Sequence, residues 1–225
     1  MVAAILVAAG LGKRFGPDAD KLFLEVAGRP VVGHTWARFD ASDVIDEVVV
    51  VVRPGMESAF GEIGATLSLR KPWKLAVGGR ERQDSVWNGL QAIGTAAELV
   101  AIQDGARPCT SEEVIRATVS AAAETGAAVA AQRVTDTIKE SVDGRIIDRT
   151  VDRARLWAVQ TPQAFRTSVI RRALEEVRAL GMLVTDDTAA CELIGQPVRL
   201  VESRVPNPKV TYPGDLPYVR SLLGV

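Results

Sequence analysis

Residues 47–52 read EVVVVV and residues 2–8 read VAAILVA. A strand with one wet face alternates apolar and polar residues. Unbroken apolar runs fit strands covered on both faces, as in a parallel sheet. Segments 99–103 and 127–132 repeat the pattern. Between these runs lie stretches with helical spacing at 30–39, 57–63 and 82–93, and a shorter strand at 74–77. Ser111 suits a helix N-cap, with Glu112 and Glu113 favourably placed in the first turn. Further along, strands are expected at 156–160 and 198–201, with helices at 166–180 and 187–194. A polar loop at 203–208 then leads to a last short strand and a helix starting near Pro213. Strand and helix in alternation predict an α/β fold: a doubly wound, mostly parallel, Rossmann-like sheet.

At 225 residues the chain is long enough to bury a full core, and it reads as a single domain, 1–225. Its 27 basic and 28 acidic residues give a net charge of −1. That balance argues against nucleic acid or an anionic membrane as a partner, so any functional positive charge must be gathered locally. No run reaches the ~18 apolar residues needed to span a bilayer. The apolar start has its basic residues after the run, not before it, unlike a signal peptide. Cys109 and Cys191 are far apart and form no metal-binding pattern. Reduced thiols in a cytoplasmic protein are the expectation. His34, the single histidine, is expected to make a local hydrogen bond.

Segment 136–152, DTIKESVDGRIIDRTVD, breaks the rhythm. Asp143-Gly144 is a hairpin turn signal flanked by β-branched and charged residues. Its apolar content is too low for a core strand pair, so a protruding β-hairpin arm is predicted. An isolated hairpin is marginal in water, and a partner subunit would stabilise it; a mobile surface hairpin is the plainer alternative.

The first strand runs into a glycine loop, Ala8-Ala9-Gly10-Leu11-Gly12-Lys13-Arg14-Phe15-Gly16. Ligands of open α/β sheets bind beyond the carboxyl ends of the strands, where this loop falls. Glycines let backbone N–H groups wrap a polyphosphate. The loop matches neither GxxxxGK[ST] nor GxGxxG. Arg14 and, seven residues on, Lys21 add a planar fork and a compact charge, which suit a phosphoryl-transfer transition state. Asp104 follows the strand at 99–103 and is a candidate Mg²⁺ ligand, since Mg²⁺ favours one or two carboxylates plus substrate phosphates.

Segment 6–16 with Lys21 resembles the signature of sugar-nucleotide pyrophosphorylase-like transferases, and later segments narrow the likeness to the 2-C-methyl-D-erythritol 4-phosphate cytidylyltransferase family. Leu156-Trp157-Ala158-Val159-Gln160-Thr161-Pro162-Gln163-Ala164-Phe165 is similar to the family's LWxxQTPQxF, the most specific match. The resemblance implies a nucleotidyltransferase fold, CTP and a sugar-alcohol phosphate as substrates, and a homodimer joined through the arm. It places Ala8, Ala9, Gly10 and Gly12 around the nucleotide. Gly79, Arg80 and Ser85, in the stretch similar to GG-x-x-R-x-x-SV, are placed at the cytosine. Arg14, Lys21 and Lys209 become catalytic, with Lys209 in Asn207-Pro208-Lys209-Val210-Thr211, similar to the family's N-x-K-x-T element. Thr137, Arg153, Thr185 and Arg107 fall to the acceptor phosphate, the first two reaching a neighbouring subunit. Gln103-Asp104-Gly105-Ala106-Arg107-Pro108 departs from the family's HDAARP at Gln103 and Gly105, where a looser turn is expected, and Pro208 replaces a commoner Ile. A ribitol 5-phosphate cytidylyltransferase, a molybdopterin-type nucleotidyltransferase and an inactive nucleotide-binding regulator are the rival readings.

Overall fold

The computed structural model describes residues 1–10, 12, 15 and 20–224. The chain begins with β1 (Val2–Ala8), the small strands β2 (Glu25–Val26) and β3 (Arg29–Pro30), α1 (Val31–Ala41), β4 (Glu47–Val52) and α2 (Glu57–Thr66). Next come β5 (Trp73–Val77), α3 (Arg82–Ala92), β6 (Leu99–Asp104), α4 (Glu112–Thr125) and β7 (Ala127–Arg133). The hairpin strands β8 (Ile138–Glu140) and β9 (Arg149–Val151) precede β10 (Trp157–Arg166), α5 (Thr167–Ala179), α6 (Asp187–Leu193), β11 (Arg199–Glu202) and α7 (Asp215–Leu223). Among the described residues, seven strands form one sheet in the order β11-β7-β10-β6-β1-β4-β5. β1 pairs in parallel with β4 and β6, β4 with β5, and β7 with β11. Only β10 runs antiparallel to its neighbours, β6 and β7.

The unbroken apolar runs have the expected cause. On β1 and β4, Ala4, Leu6, Val48, Val50 and Val52 face one layer with Val32, Trp36 and Phe39 of α1 and Phe60 of α2. Ala3, Ile5, Val49 and Val51 face the other, against Val86 and Leu90 of α3 and Ile170 and Leu174 of α5. With both faces covered, apolar side chains are favoured at every position. Ser111 Oγ caps α4 by accepting from Val114 N at 3.3 Å, and Gly126 closes it at φ 92°. The left-handed C-cap suits glycine.

β10 differs most from expectation. It extends to Arg166, past the five residues expected at 156–160. Its direction follows from the hairpin: Trp157 pairs with Arg133, so β7, the arm and β10 form one long excursion that must return antiparallel. The Arg133 guanidinium lies 4.5 Å from the Trp157 ring centroid at the base of the arm. The arm itself is the β8–β9 pair. Its turn is not a tight two-residue one but spans 141–148, ordered by Asp143 Oδ1, which accepts from Arg145 N (2.8 Å) and Ile146 N (2.9 Å). The strand expected after 203–208 is not formed; residues 203–211 have no regular structure. Hydrogen bonds to β7, to β10 and to the loop after β6 hold that segment instead.

Candidate active site

The loops after β1, β5 and β6 all leave the carboxyl edge of the sheet, and with segment 209–211 they line a cavity of about 610 Å³. Parallel order brings those loops to one edge; local sequence fixes each of them. Of the residues expected at the site, Ala8, Ala9, Gly10, Gly12, Lys21, Gly79, Arg80, Ser85, Asp104 and Lys209 line this cavity. Arg14 lies outside the described residues.

Gly12 has φ +61°, a left-handed conformation that favours glycine, and packs its Cα side against the Lys21 stem. Lys21 Nζ donates to the Val210 carbonyl at 2.7 Å, which brings its charge to the segment that carries Lys209. Lys209 Nζ lies 2.7 Å from Asp104 Oδ2. Asp104 also faces Arg82 Nε and Arg107 Nε, each at 3.6 Å. Burial alone would push the Asp104 carboxyl up, but Lys209, Arg82 and Arg107 outweigh it and hold the group at about 2.

The glycine turn after β5 is a close approach of backbones. A Cβ on Gly78 would sit 2.4 Å from Ala9 Cβ, and one on Gly79 would sit 2.3 Å from Asp84 Cβ. Ser85 is buried; its Oγ donates to the Glu81 carbonyl and accepts from Gly79 N, both at 3.2 Å. Its hydroxyl therefore shapes the turn at the cavity wall. The Arg80 side chain is exposed, with Nε 3.7 Å from Glu81.

Strand β10 ties the site together through its TPQ segment. Thr161 Oγ1 accepts from Asp104 N at 3.1 Å, and the Thr161 carbonyl accepts from Asn207 Nδ2 at 2.8 Å. Gln163 Nε2 donates to Asp186 Oδ2 at 2.9 Å, and Gln163 Oε1 accepts from Asp187 N at 3.1 Å. Asn207 is 2 % exposed; its Oδ1 accepts from Thr110 Oγ1 (3.0 Å) and its carbonyl from Arg107 Nη1 (2.6 Å). Val210 N donates to the Ala106 carbonyl at 2.9 Å. Lys209 is thus carried between two anchored residues, and Pro208 does not displace it.

The 103–108 turn is held rather than loosened. Gly105 N donates to the Val7 carbonyl (2.9 Å), and the Gly105 carbonyl accepts from Thr35 Oγ1 (2.9 Å). A Cβ there would meet the Val7 carbonyl oxygen at 3.2 Å. Gln103 is buried and donates to Thr110 Oγ1 at 2.9 Å. Arg107 lies behind Asp104, away from the cavity lining; burial lowers its pKa against the pull of Asp104.

Thr137, Arg153 and Thr185 are exposed and do not line the cavity. Arg153 Nη1 donates to the Thr135 carbonyl, just before the arm. Thr185 precedes Asp186, which caps α6 with Oδ1 accepting from Ala189 N at 2.9 Å. His34 Nε2 meets the Val26 carbonyl at 2.6 Å, a local contact; burial lowers its pKa.

Arg82 and Asp187 were not singled out from the sequence. Arg82 lines the cavity, and its Nη1 donates to Asp187 Oδ2 at 2.8 Å. Burial works against the Arg82 charge, but Asp187 and Asp104 outweigh it, so the guanidinium stays protonated. Burial pushes the Asp187 carboxyl up, with Arg82 opposing. The available signal was Arg82's place at the fixed arginine of the GG-x-x-R-x-x-SV pattern.

The family model described as 2-C-methyl-D-erythritol 4-phosphate cytidylyltransferase (IspD) matches residues 2–224. A protein of that description from Geobacillus thermodenitrificans is 43% identical over 220 residues, covering 98% of this chain and 96% of the relative. One from Pelotomaculum thermopropionicum is 43% identical over 223 residues, covering 99% and 94%. Among solved structures, 4-diphosphocytidyl-2C-methyl-D-erythritol synthase from Anaerococcus prevotii superposes with a TM-score of 0.88 at 30% identity, covering all of this chain and 96% of that one. The 2-C-methyl-D-erythritol 4-phosphate cytidylyltransferase of Thermus thermophilus gives 0.80 at 33% identity, with 98% of each covered.

Proposed function

The chain belongs to the 2-C-methyl-D-erythritol 4-phosphate cytidylyltransferase family, and from that membership we propose how its own residues carry out the reaction. The enzyme transfers CMP from CTP to 2-C-methyl-D-erythritol 4-phosphate and releases pyrophosphate, a step of the non-mevalonate isoprenoid pathway. The observation that carries the mechanism is the convergence of Lys21, Lys209 and Asp104 on one cavity at the carboxyl edge of the sheet.

A phosphate oxygen of the acceptor attacks the α-phosphorus of CTP, and the bond to the β-phosphate oxygen breaks. The second pKa of a phosphate monoester is about 6, so the nucleophile is already largely a dianion at neutral pH and needs no general base. His34, occupied by Val26, takes no part. The obstacle is repulsion between two anions. Catalysis therefore rests on charge neutralisation and in-line positioning. Lys21 and Arg14 hold the triphosphate and the reacting phosphorus. Lys209 neutralises charge that develops as pyrophosphate departs, and Asp104 fixes the Lys209 ammonium until substrate arrives. The backbone of Ala8–Gly10 and Gly12 lines the nucleotide's path. Gly79 and Ser85 form the wall proposed to meet cytosine.

A divalent cation such as Mg²⁺ would reduce the charge of the triphosphate. Among the described residues no group of three or more His, Cys, Asp and Glu side chains could hold a metal. Asp104, ionised and at the cavity wall, is the one residue assigned to it, which fits a cation delivered with its phosphate ligands rather than a protein cage.

The acceptor residues Thr137 and Arg153 sit on the arm, away from their own chain's cavity. The exposed apolar tip, with Val142 92 % exposed beside Ile146 and Ile147, supports an arm covered by a second copy. In that homodimer each arm would deliver Thr137 and Arg153 to the partner's acceptor site, with Thr185 and, behind Asp104, Arg107 completing it. Incubating the enzyme with CTP and either 2-C-methyl-D-erythritol 4-phosphate or ribitol 5-phosphate, and measuring pyrophosphate, tests the reading. Release with the first and not the second is expected. Preference for ribitol phosphate, or release with neither, overturns it.

A further inference from the structure

The pair formed by Arg82 and Asp187 has features that packing alone does not explain. Asp187 is buried, its side chain 1 % exposed, at the first position of α6. Its Oδ2 takes Arg82 Nη1 at 2.8 Å, while its Oδ1 has no hydrogen-bond partner among the described residues. A buried carboxylate with an unsatisfied oxygen costs stability, and a buried ion pair is weak evidence for a stabilising role. The carboxylate is nonetheless held firmly. Gln163 accepts from its backbone N–H, and the neighbouring Asp186 both caps α6 and takes the Gln163 amide.

Arg82 is the more exposed partner of this fixed carboxylate. It opens α3, lies at the cavity wall and keeps its side chain 28 % exposed. Nη1 is committed to Asp187, and Nε faces Asp104 at 3.6 Å. Nη2 has no hydrogen bond to any described residue. With Nη1 held by Asp187 and Nε facing Asp104, the planar group fixes the direction of the Nη2 donors, which suits a phosphate oxygen.

We propose that Asp187 is a positioning residue: by holding Nη1 of Arg82 it aims the Nη2 donors of the guanidinium at a substrate phosphate in the cavity. The inference rests on the cytidylyl-transfer reading and adds to it a phosphate contact and the buried group that sets its direction. Holding a flexible side chain in its binding geometry before substrate arrives removes an ordering cost from the binding step. Asp187 never touches substrate; its effect passes through Arg82.

A double-mutant cycle tests this. Asp187→Asn keeps the side-chain shape and removes the charge, and Arg82→Gln removes the phosphate donor. Each is expected to raise the KM for one phosphate substrate by ~10-fold or more, on the scale of losing a charge-assisted hydrogen bond. Separate titrations of CTP and of 2-C-methyl-D-erythritol 4-phosphate show which phosphate is held. In the Arg82→Gln background, adding Asp187→Asn should change kcat/KM by less than ~2-fold, whereas a role in packing alone would multiply the two losses. Multiplied losses, or an Asp187→Asn enzyme with the KM values of the unaltered protein, overturn the proposal. If the Asp187 variant does not fold, Arg82→Gln still decides: unchanged KM for both substrates refutes the phosphate contact. If the unaltered enzyme releases no pyrophosphate, the functional reading fails by itself, and calorimetric titration of CTP into the same four proteins still reads the coupling.

Discussion

Replacing Asn207 with Ala perturbs the anchor of Lys209 without touching the cavity. The Asn207 amide donates to the Thr161 carbonyl at 2.8 Å and accepts from Thr110 Oγ1 at 3.0 Å, and the residue is 2 % exposed. In Asn207→Ala the Thr110 hydroxyl can still donate to the Arg107 carbonyl at 3.1 Å. The Thr161 carbonyl loses its side-chain donor in a buried setting. One such orphaned group costs ~1–3 kcal/mol, and the vacated amide volume adds to it. A total of about 2–3 kcal/mol corresponds to a fall in Tm of roughly 5–10 °C for a chain of this size. The functional effect should be larger than the loss of folded protein explains. Lys209 lies between Asn207 and Val210, and with the first anchor reduced to the backbone carbonyl of position 207, which still accepts from Arg107 Nη1, its ammonium is held less firmly on Asp104. At a temperature where the variant is fully folded, kcat should fall by ~10-fold or more, as misplaced catalytic groups do. Thermal melting by circular dichroism and steady-state pyrophosphate release, run on the same preparation, measure both. A variant with unchanged Tm and unchanged kcat would refute the clamp.

Lys21→Ala should lower kcat by at least ~100-fold, the scale of losing one strong transition-state contact, and a purified variant with most of its turnover would remove Lys21 from the chemistry. Arg153→Ala should raise the KM for the acceptor phosphate and leave that for CTP unchanged; an effect confined to CTP would break the arm assignment. Asp104, held at about 2, has a pKa below its usual carboxylate value of ~3.9. Its contribution to stability, about 2 kcal/mol, is therefore fully present above pH ~4 and lost as pH falls towards 2. Urea melts of the parent and of Asp104→Asn between about pH 2 and 5 should show the parent's steeper decline. Parallel curves would mean that the ion cluster does not hold Asp104 as described.

The sequence revealed the sheet because burial on both faces leaves a mark on every residue of β1 and β4. It revealed the arm because low apolar content and Asp143-Gly144 are local signals. Strand direction leaves no such mark, so the antiparallel β10 follows only once β7 and β10 are seen as the two legs of one hairpin. Residues near a glycine loop, such as Lys21, or at a strand end, such as Asp104, were legible because the chain itself carries them to the carboxyl edge. The pairing of Arg82 with Asp187 was not, because it joins residues 105 positions apart and depends on where α6 packs. The same holds for Asn207, whose partners Thr110 and Thr161 lie on different segments.

A crystal structure of the enzyme with CTP, a divalent cation and a non-reacting acceptor analogue would locate the phosphates directly. Phosphate oxygens within hydrogen-bonding distance of the Lys21 and Lys209 ammonium groups, with cytosine against the Gly79–Ser85 turn, are the predicted result. A triphosphate bound away from both lysines would contradict the mechanism.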